Sequence, residues 1–398
     1  MEDIRNKGFA TQQIHAGAKK DPYGALTMPI YMTSTFAFDS VQQGSARFAL
    51  KEEGYVYTRA GNPTLSQVEE KMAVLEGGEA AVGTASGMGA ISSAIWTLLE
   101  AGDEIVASNT LYGCTFALFS SDMPRIGFKV HFVDFTDLDA LSAAINEKTK
   151  IVYFETPCNP TLKVIDIEAV CKLSHEKNKN ACVMVDNTFA SPYLQQPLKL
   201  GADVVVHSAT KYINGHGDEI CGFIVGSKDF IMAVHGSGLK EMTGAVMDPH
   251  CAFMINRGLG TLDLRMEKHC ANAMEVAKFL HDHPAVEKVY YPGLEDFEGY
   301  EIAKKQMRLP GAMLSIDLRG GRDAVGEAIN KLKLCRIAVS LGDAETLVEH
   351  PATMTHATHS AQDLKDSGIT EGLVRISVGR EDAADIIDDL KQALDSLL

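Results

Sequence analysis

The sequence predicts an α/β fold in two parts, a large domain built on a mostly parallel sheet and a smaller C-terminal α+β domain. Three observations predict it. The chain has 398 residues, too many for one small domain. Between residues 79 and 226, short apolar runs alternate with helical patterns, as expected of parallel strands covered on both faces. Beyond about residue 282, a second and shorter set of strand candidates is flanked by helices. The expected division is an N-terminal arm over 1–61, a large domain over 62–255 and a C-terminal domain over 256–398.

Each element has its own justification. A short helix is expected over Phe9–His15, and the proline- and glycine-marked stretch from Asp21 to Phe38 has no long period. Asn62-Pro63 is a helix start, with Asn as N-cap and Pro at the first helical position, and Gly77-Gly78 stops that helix after Glu76. Strand candidates follow at Ala80–Gly83, Glu104–Ser108, Lys129–Val133, Ile151–Glu155, Cys182–Asp186, Val204–His207 and Gly222–Val225. Helical patterns occupy 88–99, 113–121, 137–146 and 166–178, and a helix-rich stretch over 227–282 crosses to the second domain. There the strand candidates are Val286–Tyr291, Ala312–Leu318, Ile337–Ser340 and Leu373–Val378, with helices near 322–332 and 382–396.

Composition narrows the function. A net charge of −16 disfavours nucleic acid or an anionic membrane as the main partner, because both require a basic face. The eight cysteines form no C-x-x-C and are scattered, as in a reduced, cytoplasmic protein. The N-terminus is polar without a signal-peptide pattern, and no apolar run approaches the length of a membrane span.

In parallel sheets, ligands bind beyond the carboxyl ends of the strands. The first strand is followed by Ser86-Gly87-Met88-Gly89-Ala90, which opens a helix and suits an anion such as phosphate. After the next strand comes Tyr112-Gly113-Cys114, whose ring could stack on a flat ligand. Later strand ends carry the amide Asn159, the carboxylate Asp186 and the run Ser208-Ala209-Thr210-Lys211. Each has a plain structural reading taken singly: a tight turn, a packed aromatic, a surface lysine. Together, a lysine, a carboxylate, a stacking aromatic and an anion cradle match the needs of pyridoxal 5'-phosphate.

The chain also resembles the Cys/Met-metabolism family of fold-type I pyridoxal-phosphate enzymes from end to end. The resemblance rests on Tyr-x-Arg-x-Gly-Asn-Pro-Thr (57–64), Ser-Gly-Met-Gly-Ala (86–90), Asp-Asn-Thr-Phe-Ala-Ser-Pro (186–192), Ser-Ala-Thr-Lys-Tyr-Ile-Asn-Gly-His (208–216) and Ser-Leu-Gly…Glu-His-Pro-Ala (340–352). It implies that Lys211 is the Schiff-base lysine, that Asp186 pairs with the ring nitrogen and that Tyr112 stacks on the ring. Gly87, Met88, Ser208 and Thr210 would hold the phosphate. Tyr57 and Arg59 match residues that reach the phosphate of a neighbouring subunit, which implies an active dimer and a homotetramer of two such dimers. Arg375 matches the arginine that clamps the substrate carboxylate, with Ser340 and Asn159 lining the same site.

Within the family, the resemblance favours the branch that eliminates methanethiol from L-methionine, leaving 2-oxobutyrate and ammonia, and that also accepts homocysteine. Cys114 and the run Gly238-Leu239-Lys240-Glu241-Met242-Thr243-Gly244-Ala245-Val246 look like that branch, which makes Cys114 and Lys240 substrate-site candidates. Glu241 departs from the aspartate of the best-known members. Other branches act as cystathionine γ-lyase, cystathionine γ-synthase or O-acetylhomoserine sulfhydrylase. In the favoured reaction Lys211 is the base and Tyr112 the acid for the leaving thiol, and a nearby cation such as Arg59 or the lysine would bring its proton exchange towards neutral pH. The plain structural alternative for Cys114 is a small buried hydrophobe. A different reading, a metal enzyme using His350, His356 and His359, lacks a completing carboxylate pattern, and Pro351 weakens the helix it needs.

Overall fold

The computed structural model describes residues 4–357 and 360–398. Strands β1 (Ala80–Thr84), β2 (Glu104–Ser108), β3 (Lys129–Val133), β4 (Thr149–Glu155), β5 (Cys182–Asp186), β6 (Val204–Ser208) and β7 (Gly222–Gly226) form one sheet. Its order is β1-β7-β6-β5-β4-β2-β3. Only β7 opposes its neighbours; the remaining pairings are parallel. The 209–221 loop explains the exception, because the chain turns straight back after β6 without a crossover helix.

Both faces of this sheet are covered, and the strands show why. Ile105, Ile151, Tyr153, Met184 and Val206 face the helix Gly87–Leu98, while Val106, Val152, Phe154, Val183 and Val185 pack with residues of the helix Ile167–Lys177. That is a period of two with no polar face, the pattern of a parallel sheet buried on both sides.

Strands β8 (Val286–Tyr290), β9 (Met313–Leu318), β10 (Arg336–Ile337), β11 (Leu347–Glu349) and β12 (Leu373–Ser377) form a second sheet in the order β10-β11-β12-β9-β8. Here the sequence expectation needs correction. The strand expected over Ile337–Ser340 is only Arg336–Ile337, because the backbone turns out of extended conformation at Ser340, where φ is 117°. β11 was not expected: it is three residues long and ends in a charged one, so it carries no alternation. The helices Val41–Phe48 and Tyr300–Gln306 were also not expected. The helix at 113 runs as Gly113–Ala117 and then widens to π-type turns over Leu118–Asp122, just ahead of Pro124, which has no N–H to donate.

The first helix, Phe9–His15, is anchored to the chain's own core. The Phe9 ring meets Tyr193 edge-on at 5.0 Å, and Gln13 is buried with its amide on Asp263. The following segment is different. It is tied at Thr64, whose hydroxyl accepts from Tyr31 N (2.9 Å) and donates to Pro29 O (3.0 Å). It leaves Tyr23 (98% exposed), Leu26, Met32, Phe48 and Leu50 open.

Candidate active site

The strand ends and the second sheet meet around one cavity of about 330 Å³. Ten of the residues expected from the sequence line it: Gly87, Met88, Tyr112, Asn159, Asp186, Ser208, Thr210, Lys211, Ser340 and Arg375.

The cradle is the N-terminus of the twelve-residue helix Gly87–Leu98. Ser86 caps it by accepting from Gly89 N (2.9 Å), which leaves the N–H groups of Gly87 and Met88 at a helix end that favours anions. Glycine is required at 87 because a Cβ there would lie 2.7 Å from Ser208 Cβ. Ser208 itself is fixed by its N–H, which donates to Thr188 Oγ1 at 2.8 Å. The Thr210 hydroxyl is tied to the residue that precedes β7, accepting from Cys221 N (3.0 Å) and donating to Cys221 O (3.2 Å).

Lys211 stands three residues past the end of β6, and its Nζ donates to Ser340 Oγ at 2.8 Å. Burial lowers its pKa, and the neighbouring Arg375 charge lowers it further against Asp343 and Glu349. An amine held this way is closer to its neutral, nucleophilic form than a surface lysine. Asp186 ends β5. Its Oδ1 accepts from Thr188 N (3.0 Å) and its Oδ2 from Tyr153 OH (3.3 Å). Burial raises its pKa, while those hydrogen bonds and the nearby His207 favour the anion. Such a buried carboxylate calls for a cationic partner.

Glu155, which ends β4 directly beside Asp186, was missed in the sequence. It accepts from Tyr112 N (2.8 Å) and so sets the position of that ring. Burial, and then the Asp186 charge, push its carboxyl well above the usual range. The signal was available, because Glu155 occupies the same strand-terminal position as Asp186.

Tyr112 is 40% exposed, and its hydroxyl accepts from Cys114 Sγ at 3.4 Å. Its pKa moves opposite to the expectation. Burial raises it first, then the Cys114 contact and the Glu155 charge, and Arg375 offsets only part. The expected cation, Arg59, is elsewhere. Its Nη1 donates to Lys240 O (2.9 Å), and its guanidinium lies 5.8 Å from the Tyr57 ring centroid. Tyr57, Arg59 and Lys240 thus form a group that does not line the chain's own cavity.

Arg375, on β12, is held at both ends of its guanidinium. Nη1 donates to Asn159 Oδ1 (2.9 Å) and pairs with Glu349 Oε1 (2.9 Å), and Nη2 donates to Ser340 O (2.8 Å). The metal reading finds no support. His350 places its ring nitrogens on Thr353 Oγ1 (2.8 Å) and Glu371 O (3.1 Å), and His356 contacts Thr355 Oγ1 (3.0 Å). His359 lies outside the described residues. Among the described residues, no three His, Cys, Asp or Glu side chains cluster to hold a metal ion.

Buried carboxylate, depressed amine, helix-end cradle and aromatic fit pyridoxal phosphate in donor chemistry. The comparisons agree. An L-methionine gamma-lyase of Treponema denticola is 57% identical over 397 residues, covering 100% of this chain and 99% of the relative. Another, of Porphyromonas gingivalis, is 56% identical over 397 residues with the same coverage. A solved Campylobacter jejuni structure described as a putative O-acetylhomoserine (thiol)-lyase superposes with a TM-score of 0.94 at 32% identity, covering 98% of this chain and 100% of that one, and it carries N'-pyridoxyl-lysine-5'-monophosphate. The model of the Cys/Met metabolism PLP-dependent enzymes matches residues 10–395, and on that match the chain belongs to this family of pyridoxal-phosphate enzymes.

Proposed function

We propose that this chain catalyses the α,γ-elimination of L-methionine, with water, to methanethiol, 2-oxobutyrate and ammonia, and that it also accepts homocysteine. The observation that carries the reading is the shared cavity of Lys211, Asp186 and Arg375 with Cys114 set on the Tyr112 hydroxyl. Relatives of full length that bear the methionine-lyase activity support it.

In this reading Lys211 anchors the cofactor, Asp186 faces its ring nitrogen, and Gly87, Met88, Ser208 and Thr210 hold its phosphate. When bound, pyridoxal phosphate supplies a sink for the electrons released at Cα. Arg375 captures the substrate carboxylate, and Ser340 and Asn159 keep its guanidinium in place. Lys211, with its amine free, would remove the Cα proton and then help to move a Cβ proton. Ser340 Oγ, already its partner, fixes where that amine points. Tyr112 donates the proton to the departing thiolate; burial first, then the Cys114 contact and the Glu155 charge, raise its pKa, so it carries its proton into the step as a weaker acid than a free phenol.

The exposed apolar side chains around Tyr23, Leu26 and Phe48 support an arm that covers a neighbouring subunit. On that reading Tyr57, Arg59 and Lys240 act in the neighbour's site, and the assembly is a tetramer of two active dimers. Eight free cysteines, most of them buried, support a reducing, cytoplasmic location, and no helix among the described residues is long and apolar enough to cross a membrane.

The test is direct. Purified protein loaded with pyridoxal phosphate is given L-methionine, and methanethiol and 2-oxobutyrate are measured. Both should form together. A loaded protein that ignores methionine but cleaves cystathionine would overturn the substrate assignment.

A further inference from the structure

Glu349 belongs to the Glu-His-Pro-Ala motif, yet none of the roles above uses it. Its place is specific. It is the Cα partner of Arg375 across the β11–β12 pair, and its Oε1 lies 2.9 Å from Arg375 Nη1, with both side chains inside the protein (1% and 4% exposed). Thr355, which lines the cavity, donates to the same Oε1 at 3.1 Å. Its other oxygen, Oε2, is buried and has no hydrogen-bond partner among the described residues.

The guanidinium offers five N–H donors in a planar fork. Here Nη1 is held by Asn159 and Glu349, and Nη2 donates a hydrogen bond to Ser340 O. The Nε–H is buried and has no partner among the described residues. Arg375 is therefore fixed through Nη1 and one N–H of Nη2, which leaves the Nε–H and the second N–H of Nη2 on the Nε edge. A carboxylate takes two donors on neighbouring nitrogens, and that edge supplies them.

We propose that Glu349 is a positioning residue for substrate capture, pinning the Nη1 end of Arg375 so that the Nε edge receives the carboxylate, and that its negative charge restrains how tightly that carboxylate is held. The proposal rests on Arg375 being the carboxylate clamp. The restraint has a chemical purpose. The 2-oxo acid product carries the same carboxylate as the substrate, and an unopposed buried arginine would retain it.

Two substitutions separate the parts of the idea. Glu349→Gln keeps an acceptor for Nη1 and Thr355 but removes the charge. Glu349→Ala removes both. The holoenzyme is titrated with propionate, a carboxylate without an amine, and its dissociation constant is measured by calorimetry beside KM and kcat for methionine. Glu349→Gln should bind propionate roughly three- to tenfold more tightly, with KM lowered and kcat within about twofold. Glu349→Ala should bind it more weakly than the unaltered protein, because the arginine is no longer oriented. A propionate constant for Glu349→Gln equal to that of the unaltered protein overturns the proposal, and if Glu349→Ala does not fold, the Gln variant alone decides. Arg375→Leu is the control. If it binds propionate unchanged, the clamp reading itself fails, whatever the Glu349 variants do.

Discussion

Gly87→Ala adds one methyl group at the point where the cradle touches the lysine-bearing strand. The new Cβ would lie 2.7 Å from Ser208 Cβ and 3.0 Å from its Cα and Oγ. Real carbons do not approach so closely, so the helix Gly87–Leu98 or the end of β6 must shift. Overpacking of this kind costs about 1–3 kcal/mol. Alanine's better helix propensity returns at most about 1 kcal/mol, and less at the first helical position. The net loss is about 1–2 kcal/mol, which lowers Tm by roughly 2–8 °C in a domain of this size. Ser208 is a proposed phosphate ligand, so the same shift should weaken cofactor binding about tenfold, equivalent to about 1.4 kcal/mol. Thermal melting with and without pyridoxal phosphate, and titration of the cofactor into protein stripped of it, measure the two effects. The pair Gly87→Ala and Ser208→Gly completes a double-mutant cycle, in which the side-chain part of the clash is removed, only the 3.0 Å approach to the Cα of residue 208 remains, and the two losses should not add. An unchanged Tm and cofactor affinity in Gly87→Ala would refute the reasoning, as would strict additivity in the cycle.

Further outcomes follow from the same geometry. Lys211→Ala should lose the visible absorption of lysine-linked cofactor and at least about a thousandfold in turnover, read by spectrum and 2-oxobutyrate release; retained turnover would remove Lys211 from the centre of the mechanism. Cys114→Gly should lower the kcat/KM ratio of methionine over cystathionine by roughly tenfold, and an unchanged ratio would reduce Cys114 to packing. His269 is buried, its Nδ1 lies on Val378 O (2.7 Å), and burial lowers its pKa to about 4. The unfolded chain therefore binds a proton below about 6.5 that the native state refuses until about 4, so stability is full above that window and falls through it on acidification, by about 3 kcal/mol. Urea midpoints between pH 7 and pH 4.5 should fall less steeply for His269→Gln; equal pH dependence in both proteins would count against it.

Strand positions in the large sheet were legible because its residues are apolar and most of its short runs close on polar residues, such as Thr84, Ser108, Glu155, Asp186 and Ser208, and the site was legible because parallel strands deliver their carboxyl ends to one edge. Asp186 and Lys211 announced themselves as polar groups closing apolar strands. Glu155 did the same and was passed over, since its apolar run reads on into a proline turn. The direction of β7 was not legible: valine and isoleucine bury equally well either way, and only the loop before it decides. Glu349 could not be found from pattern, because its meaning is a partner twenty-six residues later across an antiparallel pair. Tyr57, Arg59 and Lys240 were recognisable by motif alone, and within one chain they find each other rather than the cavity.

Polar links that join the two sheets at the site include Lys211 to Ser340, Arg375 to Asn159 and Ser315 to Pro160, and at the rim Ser367 to Asn109. Lys211 and Asp186, suited to the cofactor, lie on the side of the first sheet, while the groups suited to reading substrate lie on both, Asn159 and Cys114 on that side and Arg375 and Ser340 on the other. The consequence is evolutionary. Selection can edit substrate-reading positions on either side of the seam while Lys211 and Asp186 stay intact.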